Sequence, residues 1–540
     1  MKLVTVSEMR AIEQEADAGG LSVEKMMEKA GDGLADEIVI LPYGGDEGHE
    51  VLGLVGSGNN GGDTLVALAH LVADGWRARA YLINRKPDEL VERFKKEGGE
   101  IILAANDPKF EHLSAFIGTA DVVVDGVLGT GVKLPLKDET AAVLSAVNEA
   151  IADLAWPPYV VAVDCPSGVN CDTGEVAPET IPASVTVCMA AIKQGLLKFP
   201  AFEMAGELRV VPIGLTDKIK LWKQIHHYVA EDELIEAILP ARAADSHKGT
   251  FGTTLIVAGS VNFTGAALLA GKAAYRIGTG LVQMAIPGPL HAALAGHFPE
   301  ATWILLPNEM GVISEPAAGV LAKNLERATA LLIGPGLGSE DTTGNFVEHL
   351  LQGKNTGKKP AGHIGFVQNT ELKKAEVAAV LPPLIVDADG LRHLAKLDGW
   401  PKLLPAGTIL TPHPGEMAAL TGLDKDEIQK DRQVIALKYA AEWGQVVVLK
   451  GAFTIIAAPD GRSTTIPVAT SALAHAGTGD VLSGLIAGLR AQGVDAYQAA
   501  VAGAWVHAEA GLYAAEKIGS EASVLAGDVL EAVADVLSGF

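Results

Sequence analysis

Apolar runs too short to be helices alternate with longer amphipathic stretches along the chain. Residues 7–18 and 22–40 carry apolar side chains at helical spacing. The run Val51-Leu52-Gly53-Leu54-Val55-Gly56 reads as a buried strand that ends in a Gly/Asn loop. Residues 64–73 return to helical spacing, and 78–83 are strand-like. Val122-Val123-Val124-Asp125 and Val160-Val161-Ala162-Val163-Asp164 are buried-strand candidates, each closing on an aspartate. In the second half the pattern predicts strands at 254–258, 331–333, 384–387, 446–449 and 454–458, and helices at 265–277, 481–489 and 499–515. Such alternation implies parallel sheets covered by helices on both faces. Ligands then bind beyond the carboxyl ends of the strands, where both aspartates lie.

The pattern divides into two α/β halves, residues 1–225 and 226–540, with the junction inside 222–245. The polar segment 352–362, rich in Gly and Lys, is expected to be an exposed loop. There is no internal repeat. At 540 residues, 49% hydrophobic and 20% charged, the chain can bury two cores. Its mean hydropathy of +0.25 reflects scattered Ala and Val, since no run offers the roughly 18 apolar residues of a spanning helix. A net charge of −24 disfavours nucleic acid as a partner, while small phosphorylated ligands can still be held by backbone dipoles. Three cysteines (Cys165, Cys171, Cys188) without metal-like spacing fit a reducing cytoplasm.

Three polar loops follow strand candidates in the first half. They are Gly56-Ser57-Gly58-Asn59-Asn60-Gly61-Gly62-Asp63, Asp125-Gly126-Val127-Leu128-Gly129-Thr130-Gly131 and Asp164-Cys165-Pro166-Ser167-Gly168-Val169-Asn170. Each is a weak signal alone, because strand-end acids often cap the next turn. Together they point to one site, with backbone nests and side-chain oxygens. In the second half Ala476-Gly477-Thr478-Gly479-Asp480 opens a helix, where free N–H groups can hold a phosphate. Asp480 beside that phosphate could take a proton from an attacking hydroxyl, or it could simply complement the helix dipole.

The opening Val6-Ser7-Glu8-Met9-Arg10-Ala11-Ile12-Glu13, with Gly58-Asn59-Asn60-Gly61-Gly62-Asp63, Leu128-Gly129-Thr130-Gly131 and Asp164-Cys165-Pro166-Ser167-Gly168, resembles NAD(P)H-hydrate epimerase. Lys248-Gly249-Thr250-Phe251-Gly252, Ala258-Gly259-Ser260, Gly334-Pro335-Gly336-Leu337-Gly338, Thr411-Pro412-His413-Pro414-Gly415-Glu416 and the Asp480 turn resemble the ADP-dependent NAD(P)H-hydrate dehydratase. The order is that of the bifunctional repair enzymes. The resemblance implies a Rossmann-like three-layer α/β domain followed by a ribokinase-like α/β domain.

For the first half it implies that NADH hydrate or NADPH hydrate is bound by Asn59, Asn60, Gly61, Gly62 and Asp63, by Gly129-Thr130-Gly131-Val132-Lys133-Leu134-Pro135 and by Asp164, with Asp164 moving the hydroxyl proton. Potassium would be held by Asn60, Asp125 and Ser167. One departure is Thr64, where the family loop has Gly; a β-branched residue tolerates positive φ badly, so ordinary backbone is expected there. For the second half it implies ADP, with magnesium, along Lys450-Gly451-Ala452-Phe453-Thr454 and Ala476-Gly477-Thr478-Gly479. The hydrate would meet Gly338, His413, Pro414, Gly415, Glu416 and Asp480. Asp480 is the expected base, and His413, between two prolines, is expected to be structural or a ligand contact. Lys450 could meet a phosphate or pair with an acid. The family also implies a homo-oligomer. The alternative is a kinase for a small vitamin-precursor alcohol, joined to a non-catalytic N-terminal binding module.

Overall fold

The computed structural model describes residues 1–42, 48–353 and 380–540. Of the loop expected at 352–362, residues from 354 onward lie outside the described residues. The described chain divides into two compact units, Met1–Val229 and Ala230–Phe540.

The first unit is built on strands β1 (Glu50–Val55), β2 (Arg77–Leu82), β3 (Glu100–Leu103), β4 (Val122–Gly126), β5 (Tyr159–Val163), β6 (Val185–Met189) and β7 (Glu207–Val211). They lie side by side in the order β3-β2-β1-β4-β5-β6-β7, and all neighbours run parallel. Successive side chains of a strand point to opposite faces, and the two faces have separate cores. Val51, Val55, Val122 and Val124 pack with helices α1 (Val6–Ala18), α2 (Val23–Val39) and α3 (Asn59–Ala73). Leu52, Leu54 and Val123 pack on the other side. The strand order reverses between β1 and β4, and a crevice opens there beyond the strands' carboxyl ends.

The structure corrects the reading of residues 59–63 as loop. They form the first turn of α3, which starts at Asn59 rather than Thr64. Gly61 fits because a Cβ there would stand 2.0 Å from the Gly56 carbonyl oxygen, so only glycine lets the helix begin against the strand exit. Thr64 has the ordinary helical backbone expected of it; it is fully buried, and its Oγ1 donates to the Asn60 carbonyl at 2.7 Å.

In the second unit, β8 (Thr253–Val257), β9 (Leu281–Pro287), β10 (Thr302–Leu306), β11 (Ala330–Ile333), β12 (Leu384–Val386), β13 (Ile409–Leu410), β14 (Val446–Leu449), β15 (Ile455–Ala457) and β16 (Ser463–Thr465) are arranged β16-β15-β14-β13-β12-β11-β8-β9-β10. The two pairings β14–β15 and β15–β16 are antiparallel and the others are parallel. Helices α4 (Thr264–Arg276), α6 (Thr478–Ala491) and α7 (Ala496–Ile518) cover one face, and α5 (Pro414–Thr421) contributes Met417 to the core of the other. Again the order turns back, here between β8 and β11. Among the described residues, no helix is long and apolar enough to cross a membrane.

Candidate functional site

In the first unit a cavity of about 540 Å³ opens at the β1–β4 crevice. Asn59, Asn60, Asp63, Gly129, Thr130, Gly131, Val132 and Asp164 line it. Gly61 and Gly62 are buried behind it, and Lys133, Leu134 and Pro135 are not among its lining residues. Asp164 leaves β5 with φ +66, a left-handed backbone that costs a non-glycine residue energy and is found where function fixes it. Its Oδ1 accepts the Met189 N–H at 2.9 Å and is ion-paired with Lys193. Lys193 is almost fully buried and also donates to the Met189 and Ala191 carbonyls, at 3.0 and 3.1 Å. Burial alone would push its ammonium pKa down, but the Asp164 carboxylate outweighs that and holds it up.

Lys193 was not legible from sequence as a site residue, and neither were Arg10 and Glu13, which α1 presents to the same cavity. Burial raises the Asp63 carboxyl far above its usual range, and the charges of Asp164 and Glu13 add to it, against Lys193. Burial raises Glu13 too. The Asp63, Glu13 and Asp164 carboxyl groups thus share the charge field of one buried ammonium, that of Lys193.

Beside the cavity Asp125 and Ser167 are bonded to each other, and Asn60 and Ser167 both reach Leu128. The Asp125 carboxylate, fully buried, accepts the Ser167 Oγ–H at 2.5 Å and the Ser167 N–H at 2.7 Å. Burial raises its pKa, and these bonds oppose the rise. Ser167 Oγ in turn accepts the Leu128 N–H at 2.8 Å. The Asn60 amide reaches the Leu128 and Val163 carbonyls. Carboxylate, hydroxyl, amide and carbonyl oxygens on three neighbouring loops are the donor set of a hard cation. These residues fit a potassium ion.

In the second unit a cavity of about 400 Å³ is lined by Lys450, Gly451, Ala452, Thr454, Thr478 and Gly479, with His413 and Pro414 at its edge. Phe453, Ala476 and Gly477 support this wall without lining it. Gly477, at φ +95, turns the chain so that α6 opens at Thr478; the Thr478 and Asp480 N–H groups bond the His475 and Gly477 carbonyls, which leaves the N–H of the cavity-lining Gly479 as the orphan amide of the first turn. Of the other expected substrate residues, Gly415, Glu416, Gly338 and Asp480 do not line this cavity.

Of these, Asp480 is tied by charge to Glu416. It is half-buried in the first turn of α6, and its pKa is raised to about 7, first by burial and then by Asp387, while Lys450 pulls it down and Asp389 and Glu416 push it up. Lys450 Nζ pairs with Asp387 Oδ1 at 2.7 Å and lies 3.6 Å from Glu416 Oε2. Of the two roles left open for Lys450, the structure shows the acid pairing. Asp387 also accepts the Thr411 Oγ–H at 2.6 Å. Gly338 N donates to Asp389 Oδ2 at 2.9 Å. His413 caps α5, its Nδ1 accepting from the Gly415 and Glu416 N–H groups, while Glu416 returns a bond to the His413 N–H at 2.9 Å. Those bonds occupy Nδ1 and fix the turn. Sequence reasoning named the strand 384–387 but gave Asp387 no role, although it ends a strand as Asp125 and Asp164 do.

A family model described as YjeF-related protein N-terminus matches residues 23–195, and one described as NAD(P)H-hydrate dehydratase matches 254–357 and 364–534. The bifunctional NAD(P)H-hydrate repair enzyme of Moorella thermoacetica is 35% identical over 99% of this chain and 97% of its own length. That of Thermofilum pendens is 34% identical over 96% of this chain and 93% of its own. A solved ADP/ATP-dependent NAD(P)H-hydrate dehydratase from Bacillus subtilis, co-crystallised with ATP and Mg²⁺, covers 58% of this chain and 98% of its own at 32% identity, with a TM-score of 0.46. Each α/β unit carries a cavity, the first at the β1–β4 crevice and the second beside the carboxyl ends of β13 and β14. The chain belongs to the bifunctional NAD(P)H-hydrate repair enzymes, with an epimerase half and a dehydratase half.

Proposed function

We propose that the first cavity interconverts the R and S forms of NADH hydrate and NADPH hydrate, and that the second dehydrates the S form at the expense of ADP. The observation that carries the second part is the charge cluster at the start of α6, where Lys450 Nζ lies 2.7 Å from Asp387 Oδ1 and 3.6 Å from Glu416 Oε2, and where burial and these acids hold the Asp480 carboxyl up at about 7. A base with a pKa near 7 is matched to taking a proton at neutral pH.

In the second unit the C6 hydroxyl of the hydrate attacks the outer phosphorus of ADP while Asp480 accepts its proton. The bond from that phosphorus to the bridging oxygen breaks, and AMP leaves. The Gly479 amide at the start of α6 stabilises the charge on the phosphoryl oxygens. The C6–O bond then breaks with loss of a proton from C5, releasing inorganic phosphate and restoring the dihydronicotinamide. The Asp387 and Glu416 carboxylates are hard oxygen donors on the Lys450 side and suit magnesium. The ion would neutralise charge on the nucleotide phosphates.

In the first unit Asp164 moves the proton of the C6 hydroxyl as the C–O bond opens and is remade. Lys193 fixes Asp164 Oδ1, and Oδ2 takes no hydrogen bond among the described residues. Potassium at Asn60, Asp125 and Ser167 would lock the three loops in one geometry. Three buried cysteines, all free, suit a cytoplasmic enzyme.

The test gives the whole protein purified R and S hydrates with potassium, magnesium and ADP or ATP. Recovery of the dihydronicotinamide from both epimers, with AMP and phosphate formed from ADP, supports the reading. A stable phosphorylated alcohol as product would instead make the second unit a kinase.

A further inference from the structure

The helix Arg432–Trp443 precedes β14, and its first residue reaches back to the loop that follows that strand. Arg432 Nη2 donates to the carbonyl of Leu449, the last residue of β14, at 2.8 Å. Its Nη1 donates to the Ala452 carbonyl. These two carbonyls flank Lys450 and Gly451, which line the second cavity together with Ala452. Arg432 itself does not line it. Gly451, at φ +145, leaves room for the guanidinium, since a Cβ there would stand 2.9 Å from Nη2.

Nε of Arg432 is buried with no partner among the described residues. Burial pushes the guanidinium down to about 10, and no carboxylate opposes it. A buried cation without an anion costs stability that an apolar side chain of similar length would not. What an apolar side chain lacks is the planar fork of donors, which spans two carbonyls at once. We infer that Arg432 is a positioning residue of the second site: its fork holds the Leu449 and Ala452 carbonyls, so that Lys450, Gly451 and Ala452 keep the conformation that grips the nucleotide. The inference rests on reading this cavity as the nucleotide site. A grip that acts equally on ground state and transition state sets KM and leaves kcat alone.

The test compares wild type, Arg432→Met and Arg432→Lys as whole proteins. Hydrogen exchange reads the loop itself, where the Lys450 and Phe453 amides donate to the Pro412 and Val468 carbonyls. Both amides should lose protection in Arg432→Met, while Val446–Leu449 keeps its own. The KM for ADP in dehydration of purified S hydrate should rise about tenfold, the usual scale of a lost hydrogen bond. The kcat and the KM for the hydrate should stay at wild-type values. Arg432→Lys, which keeps the charge but offers one nitrogen, should recover only part of the loss. The inference is overturned if loop protection is unchanged in Arg432→Met, or if the KM values for ADP and hydrate rise together, as a merely structural role requires. It is overturned as well if Arg432→Lys matches wild type, since charge alone would then suffice. Should the methionine variant fail to fold, Arg432→Lys decides: a rise in the KM for ADP alone supports the inference, and any other result overturns it. Lost loop protection in a protein whose wild type uses no nucleotide would instead refute the reading of the cavity.

Discussion

Lys450 Nζ stands 2.7 Å from Asp387 Oδ1, and the two charges act on Asp480 in opposite directions. Asp387 raises its carboxyl and Lys450 lowers it. Dehydratase kcat/KM should therefore rise with pH, with a half-maximum near about 7, because the base must be ionised. Asp387→Asn should move this midpoint to lower pH, and Lys450→Met should move it to higher pH. A pH–rate profile for the three proteins checks both signs.

Lys193 and Asp164 form a buried ion pair, at 1% and 10% side-chain exposure. Removing one partner of such a pair typically costs about 3 kcal/mol, since the other charge is left unpaired. Lys193→Met should weaken the first unit by about that much and abolish epimerisation, with dehydration of the purified S hydrate retained. Hydrogen exchange of β4–β6 in the full chain reads the first effect, and the two activities assayed separately read the second.

Asp63 offers a prediction of the opposite sign. Its folded pKa lies above the unfolded value, so ionisation disfavours the fold. The cost is absent below the unfolded pKa, grows as pH rises through the interval to the folded pKa, and is constant above it. Asp63→Asn avoids this cost. Its thermal midpoint should match wild type near pH 3 and exceed it at pH 7, while epimerase activity falls, as expected where a site is strained for function.

How far the sequence reveals these sites depends on the residue. Val122-Val123-Val124-Asp125 and residues 160–164 announce themselves, because a β-branched run closed by an acid has few other readings in a parallel sheet. Asn59–Asp63 mislead, because Gly61 and Gly62 have poor helix propensity. Close packing decides instead: a Cβ on Gly62 would stand 2.6 Å from Met27. Lys193 is the least legible. It is a single lysine, 29 positions from its partner, and only the fold makes it a buried neighbour of Asp164. Glu13 sits on the polar side of an amphipathic helical pattern, where an acid usually faces solvent. Asp387 carried the same strand-end signal as Asp125.

Potassium dependence should follow Ser167, whose Oγ and N–H both bond Asp125. Ser167→Ala removes one of the oxygens proposed to hold potassium, and the 2.5 Å bond that orients the carboxylate. Half-saturation of epimerase activity should need about tenfold more potassium, in the range by which partners that orient metal ligands affect affinity. Dehydration of the S hydrate should be unchanged. Titration of both activities with potassium chloride against a choline chloride background measures this.

The most direct measurement compares wild type with Asp480→Asn on purified S hydrate with ADP and magnesium. The amide keeps the shape of the side chain and cannot take the proton. Dihydronicotinamide formation should slow by about 10²–10⁴-fold, the usual worth of a positioned base, while interconversion of the R and S forms continues at the wild-type rate. Dehydration by the variant at undiminished speed would contradict the account.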